Sequence, residues 1–343
     1  MPNPDGLPSD LIYVSDTTPG IRRRRRGKGF SYVHDDATPL DKSAIARIQK
    51  LGIPPAYRDV WICGLPEGHI QATGYDAKGR KQYLYHQDWS QWRAGVKYNS
   101  LAEFGCALGR LRRRVLKDLQ AQAGDLTFSL AALTLLIDRT CLRVGNESYA
   151  ESNKTFGAAT LLTRHLTLGE DTIQLRFTAK GGKKVTHTLR DKRLHRILQE
   201  IGDLPGRMLF TWLTETGEVR AVNSQDVNAY IADASGLSGA TAKTFRTWGG
   251  SLTAFEVARQ ATDKLTVKMM AEASAARLQN TPTISRSAYI HPAILGLAEV
   301  PAAERMSLLA AVEPHSDPVL KAEERRMLGF LLRPPEQPEV LER

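Results

Sequence analysis

The sequence predicts an α+β protein: a small β-rich N-terminal domain over residues 1–90 and a larger, mainly α-helical domain over 91–343. Three observations carry this. Up to about residue 90, short alternating apolar runs are separated by Gly, Pro and Asp, as in strands and turns. From about residue 91 the apolar residues recur at helical spacing. Over 164–190 three alternating runs, "RHLTL", "TIQLRFTA" and "KVTHTLR", follow one another with short turns, which predicts a three-stranded antiparallel sheet.

Residues 1–27 are polar and punctuated by Pro and Gly, and are expected to form a basic, mobile arm that ends in the Arg22–Arg26 run. "GFSYVH" (29–34) reads as a strand. "PLDKSAIARIQKLG" (39–52) reads as a short helix with Asp41 near its start and Gly52 at its end. "DVWICG" (59–64) is a further strand, and 69–86 form a hairpin with "DAKG" at the turn. In the second domain "YNSLAEFGCALGRLRRRVLKDLQAQ" is helical, and "LTFSLAALTLLIDRTCLRVGN" (126–146) is apolar nearly all round, as a buried central helix should be. Helices resume after the sheet to about residue 312, and a short helix and a Pro-rich end follow.

Composition excludes several function classes. The longest apolar run, "FSLAALTLLI" (128–137), is too short to cross a bilayer, so no membrane partner is expected. The first ten residues lack the basic and apolar regions of a secretory signal, which predicts a cytoplasmic protein. Cys63, Cys106 and Cys141 lie far apart without CxxC spacing, a pattern of reduced thiols rather than a zinc site. No phosphate-binding G-x-x-x-x-G-K-[ST] loop occurs, so ATP is not expected, and no other cofactor or metal is implied. The net charge is +10, and "IRRRRRGKGF" (21–30) and "GRLRRRVLK" (109–117) concentrate it. Such clusters draw a protein toward phosphate-rich partners, because neutralising phosphates releases counterions.

Four stretches carry candidate chemistry. In "CLRVGNESY" (141–149) Arg143 stands at the end of the buried helix, where Gly145 breaks it. "FTAKGGKK" (177–184) places Lys180, Lys183 and Lys184 in a glycine-rich turn, which suits a solvated hairpin or an ammonium thrust into a groove. In "TAKTFRTWGGSLTAFEVARQ" (241–260) Phe245, Trp248, Leu252 and Phe255 share one helical face, and Lys243, Arg246 and Gly250 fall on the other. Gly249 and Gly250 cost a helix stability, so something should pass close to that backbone, and a phosphate between two cations would fit. "LQNTPTISRSAYIHP" (278–292) combines Asn280, Arg286 and Tyr289. A phenol with its ordinary pKa of about 10 serves as a nucleophile only where cations favour the phenolate.

In order and surroundings, Arg143 in "LRVGN", Lys180 in "FTAKGGKKVTH", Arg246 in "KTFRTWG" and Tyr289 in "SRSAY" resemble the active-site motifs of type IB DNA topoisomerases, nearest to the compact poxvirus-like enzymes and their bacterial relatives. "GYDAKGRKQYLYH" (74–86) is similar to the family's DNA-contacting hairpin, so the resemblance covers roughly residues 55–295. One departure stands out: Asn280 occupies a position where the poxvirus and nuclear enzymes carry histidine.

The resemblance implies a clamp of the two domains around double-stranded DNA and a monomeric, nucleoid-associated enzyme. It implies attack by Tyr289 on a phosphodiester, Arg143 and Arg246 on the non-bridging oxygens, and Lys180 as the general acid. Spacing alone does not choose Lys180 over Lys183 or Lys184. Asn280 is expected to donate a hydrogen bond in place of the histidine, without its charge. Lys243 is expected to assist phosphate binding or proton relay, and Arg80, Lys81, Gln82, Tyr83 and Tyr85 to contact DNA. The rival reading is a tyrosine recombinase, which shares the Arg, Lys, Arg and Tyr chemistry. Recombinases usually present histidine three residues before the second arginine, where this chain has Lys243.

Overall fold

The structure, a computed structural model, describes residues 8–27 and 29–333. The chain divides into two compact units, residues 1–97 and 98–343. The divide falls seven residues beyond the expected boundary, because the helix that begins after the N-terminal sheet runs on without a break.

The first unit is a five-stranded antiparallel sheet in the order β2-β1-β3-β4-β5, formed by β1 (Ile21–Arg26), β2 (Gly29–His34), β3 (Arg58–Ile62), β4 (Ile70–Tyr75) and β5 (Lys81–Tyr85). Helix α1 (Lys42–Lys50) completes its core, in which Ile48 packs with Ile21, Val60, Ile62 and Ala72. The Asp41 side chain caps α1 by accepting from the Ala44 amide at 2.7 Å.

The expectation of a mobile arm through residue 27 is overturned over the arginine run, which is strand β1. It pairs from Ile21↔His34 to Arg26↔Gly29 on one side and with Ile62 and Trp61 on the other. The physical reason is non-local. Ile21 is buried in the sheet core, and Arg22 pairs with Asp35 at 2.7 Å. Arg23 donates to the carbonyls of Ile53, Pro54 and Tyr57 while its guanidinium lies 4.2 Å from the Phe30 ring centroid. Residues 1–7 of the expected arm and the Pro-rich C-terminal end lie outside the described residues.

The second unit begins within α2 (Gln87–Asp118) and is built around α3 (Leu126–Thr140), whose residues from Phe128 to Ile137 are all buried. After α4 (Glu147–Asn153) come β6 (Leu166–Leu168), β7 (Ile173–Thr178) and β8 (Lys184–Leu189), the predicted three-stranded antiparallel sheet in the order 6-7-8. Beyond α5 (Lys192–Gly202) lies an unexpected hairpin of β9 (Thr211–Leu213) and β10 (Val219–Ala221). Its three-residue strands are too short to show a period, and only the turn around Gly217, at φ 80°, marks them. Helices α6 (Ser224–Ser235), α7 (Ala242–Gln260), α8 (Val267–Leu278), α9 (Pro282–Tyr289), α10 (Pro292–Gly296), α11 (Ala302–Ala310) and α12 (Ala322–Leu331) complete the unit.

A buried ionic chain braces this helical assembly. Arg112 on α2 pairs with Asp138 on α3 at 2.9 Å and with Glu324 on α12 at 2.7 Å. Glu324 also accepts from the Trp248 indole of α7 at 3.3 Å, and Arg139 links Asp138 to Asp191.

Candidate active site

Helix α3 ends at Cys141, which adopts the left-handed conformation at φ 53° and turns the chain toward Arg143. The following loop is locked against residues 157–159. Ala158 N–H donates to the Arg143 carbonyl at 2.8 Å, and Ala159 N–H to that of Val144 at 2.7 Å. Gly145, at φ 95°, admits no side chain there, since a Cβ would stand 2.6 Å from Thr160 Oγ1. The backbone that presents Arg143 is therefore fixed before any ligand arrives.

Helix α7 corrects the expectation of a single buried face. Phe245, Trp248 and Phe255 enter the core as predicted, but Arg246 is also buried, with 3% exposure. Helices α8 and α9 cover the side that sequence periodicity left open to solvent. The glycines make room for neighbouring protein rather than for a phosphate. A Cβ on Gly250 would come within 2.7 Å of the Tyr289 carbonyl, and one on Gly249 would collide with Cys141 Sγ. Arg246 donates to the Cys141 carbonyl and, at 3.1 Å, to the Leu278 carbonyl. Its guanidinium stands 4.8 Å from the centroid of the Tyr289 ring.

Tyr289 closes the short helix α9, whose start is set by Pro282 and by the Thr281 side chain as cap. Its backbone is anchored in turn: Ser251 Oγ donates to the Tyr289 carbonyl at 3.3 Å and accepts from the His291 amide at 3.0 Å. The side chain is 9% exposed. Burial alone would push the phenol up, but the hydrogen-bonded Arg246 guanidinium, followed by the charges of Arg143 and Lys243, outweighs it and holds the phenol below the ordinary tyrosine value. Arg143 is half-buried, and burial followed by the neighbouring Arg246 pushes its guanidinium down, against an opposing pull from Tyr289.

Asn280 joins this group from the loop after α8. Its Oδ1 accepts from Arg143 at 3.3 Å, and its Nδ2 is buried without a hydrogen-bond partner. The structure thus brings together Arg143, Arg246, Asn280 and Tyr289, with exposed Lys243 in the first turn of α7. Lys180 stands exposed at the tip of the β7–β8 hairpin, beside Gly181 and Gly182 at φ 81° and 78°. Lys183 and Lys184 are exposed there as well. The hairpin reaches the cluster through Phe177, Ala179 and Val185, which line one narrow cavity with Arg143, Arg246 and Gln279. Arg286 is exposed and takes no part.

Residue-level reading missed His187, two positions past Val185 on β8. Its Nε2 is buried and unpartnered, and burial, with the charges of Arg277 and Arg246, pushes the imidazole down to about 4. The period-two spacing from Val185 was the available signal.

In the first unit, Arg80 and Gln82 both donate to Asp76, at 2.8 and 3.0 Å, and Lys81 pairs with Asp16 at 2.5 Å. The Arg80 guanidinium holds the Asp76 carboxyl down at about 2. Tyr83 and Tyr85 are 44% and 46% exposed, with near-parallel rings 6.0 Å apart. Among the described residues no group of three or more His, Cys, Asp or Glu could hold a metal ion, and no helix is long and apolar enough to cross a membrane.

Two family profiles match this arrangement. One described as "Eukaryotic DNA topoisomerase I, catalytic core" matches residues 86–289, and one described as "Bacterial DNA topoisomerase IB, N-terminal domain" matches 29–76. The chain belongs to the type IB DNA topoisomerase family. Among similar proteins, the DNA topoisomerase 1B of Acanthamoeba polyphaga mimivirus is 30% identical over 286 residues, 79% of this chain and 85% of the viral protein. The DNA topoisomerase 1B of Vaccinia virus (strain Copenhagen) is 25% identical over 270 residues, 76% of this chain and 83% of its own. DNA topoisomerase 1 of Mycosarcoma maydis is 23% identical over 224 residues, 58% of this chain and 22% of the fungal protein. The core match of this type IB family member ends at Tyr289, the candidate nucleophile.

Proposed function

We propose that this type IB topoisomerase relaxes positive and negative supercoils in double-stranded DNA by cutting one strand, allowing rotation and resealing the cut. The observation that carries the reading is the Tyr289 phenol, buried against Arg246 and held below its ordinary pKa by cations. The phenolate oxygen attacks the phosphorus. A 3′-phosphotyrosine bond forms as the bond to the 5′-oxygen breaks, and the proton lost by the phenol is balanced by one delivered to the leaving oxygen. Lys180 is the proton donor, carried to the scissile link by its glycine-rich hairpin tip.

Arg143 and Arg246 hold the non-bridging oxygens with permanently charged forks, the role in which arginine exceeds lysine. Asn280 orients Arg143 through Oδ1 and offers its unfilled Nδ2–H to the same oxygens. Lys243 adds charge beside the phenol, and Arg80, Lys81, Gln82, Tyr83 and Tyr85 position the duplex. The covalent link conserves the phosphodiester's energy, so religation needs no ATP. Because guanidinium groups supply the positive charge, Mg²⁺ is not obligatory. The enzyme acts as a monomer, in the cytoplasm and on nucleoid DNA.

The test is relaxation of a plasmid in EDTA without ATP, with Tyr289→Phe in parallel. The wild type should relax supercoils of both signs and the variant should not. Equal activity would remove Tyr289 from the mechanism. Strand exchange between paired sites without relaxation would favour the recombinase chemistry instead.

A further inference from the structure

The first unit holds a concave site of its own. A cavity of about 520 Å³ beside the β4–β5 hairpin is walled by Tyr13, His69, Tyr85 and Trp89, and the exposed Arg93 also lines it. Tyr13 stacks on His69 with centroids 4.1 Å apart and planes at 11°, and Trp89 meets His69 edge-on at 4.5 Å. Tyr85 stands 6.4 Å from both His69 and Trp89. Centroid separations of about 4.5–7 Å are those of aromatic rings in contact, so Tyr85 packs against His69 and Trp89 while remaining 46% exposed.

The walls are preorganised. Ile12 N–H donates to the Glu67 carbonyl and His69 N–H to the Ile12 carbonyl, both at 2.9 Å, which fixes the segment carrying Tyr13 beside β4. Val14 N–H donates to His69 Nδ1 at 3.0 Å, leaving Nε2 as the nitrogen that bears the neutral ring's proton. Burial holds that imidazole below its ordinary range, against a smaller opposing pull from the Ile12 carbonyl. The Arg93 guanidinium lies 5.8 Å from the Trp89 ring centroid.

A ligand for this site has flat apolar faces, an acceptor on its edge and an attached anion. A nucleobase on a phosphate backbone has all three. Within a paired duplex both faces of a base are covered by its neighbours, so only an unpaired base can offer them. The chain's net charge of +10 and the exposed Tyr83 and Tyr85 of the adjoining hairpin favour a DNA strand over a free nucleotide.

We propose that this cavity captures an unpaired base of the bound DNA, stacked on the exposed Tyr85 ring at its mouth, with its edge turned toward His69 Nε2–H and its phosphate toward Arg93. The proposal rests on DNA being the partner, and adds a preference for bulged, frayed or nicked regions that cleavage by Tyr289 does not require.

The experiment compares two duplexes, one with 2-aminopurine as a single-nucleotide bulge and one with it fully paired. Binding and 2-aminopurine fluorescence are followed together, and plasmid relaxation is measured in parallel. About tenfold tighter binding of the bulged duplex, with quenched fluorescence, is expected. Tyr13→Leu should bring the ratio of the two affinities close to one. Arg93→Gln, at an exposed position, should lower the ratio without threatening the fold. Equal affinities in the wild type, or a full preference retained by Tyr13→Leu, would overturn the site. Displacement of the bulged duplex by micromolar dTMP would overturn the DNA strand as its occupant. Relaxation without bulge preference defeats this proposal alone, and bulge preference without relaxation supports it while defeating the cleavage reading.

Discussion

Replacing Gly250 with alanine should slow cleavage through the backbone of Tyr289, the proposed nucleophile. The new methyl would stand 2.7 Å from the Tyr289 carbonyl, 2.9 Å from Ser274 Oγ and 3.0 Å from Leu278 Cδ1. Opening the first approach to an ordinary contact of about 3.4 Å moves the carbonyl by about 0.7 Å. Displacements near 1 Å in a reacting group cost on the order of 100-fold in rate, so cleavage should fall by roughly 10- to 100-fold. Stability should fall by up to about 2 kcal/mol, because an overpacking cost of about 1–3 kcal/mol is only partly offset by the roughly 1 kcal/mol that alanine gains over glycine in a helix. Single-turnover cleavage of a nicked suicide duplex, with affinity measured separately, reads this out. Cleavage within twofold of wild type in a folded variant would refute the claim that the glycine seats Tyr289.

Asn280→Ala should reduce single-turnover cleavage by about 10- to 100-fold, the cost of losing a transition-state donor and the partner of Arg143; a loss of only a few-fold would count against its role. Because the phenol lies below its ordinary pKa, the cleavage rate should fall as pH drops through that lowered value. Lys243→Gln removes one of the cations responsible, so the inflection of the pH–rate profile should move to higher pH, and an unmoved inflection would separate Lys243 from the phenol. The exposed arginines of β1 can be neutralised without breaking the strand: Arg24→Gln with Arg26→Gln should lower the salt slope of duplex binding by up to about 1.8, and an unchanged slope would take this face off the DNA.

The sequence was most legible where structure is local. Helix α1 could be read from Asp41 and a clear period, and the β4–β5 hairpin from its turn. Strand β1 escaped because five successive arginines hide any alternation, and its stability comes from carbonyls at positions 53–57 and from β2 and β3. The inward turn of Arg246 escaped for a similar reason. Helical periodicity registers one apolar face, whereas α8 and α9, later in the chain, bury the opposite one. Arg143, Asn280, Arg246 and Tyr289 were named through family likeness. What their spacing could not reveal is that Arg143 holds Asn280 Oδ1, or that Gly249 and Gly250 yield room to Cys141 and Tyr289.

The ionic chain ending at Glu324 has a consequence for the birth of the enzyme. Glu324 grips Arg112 and the Trp248 indole of the helix that carries Arg246, yet it is synthesised about 35 residues after Tyr289. At about 5–20 residues per second, a ribosome needs roughly two to seven seconds to cover that stretch. For that interval a nascent chain has Tyr289 but not the brace under the helix that carries Arg246.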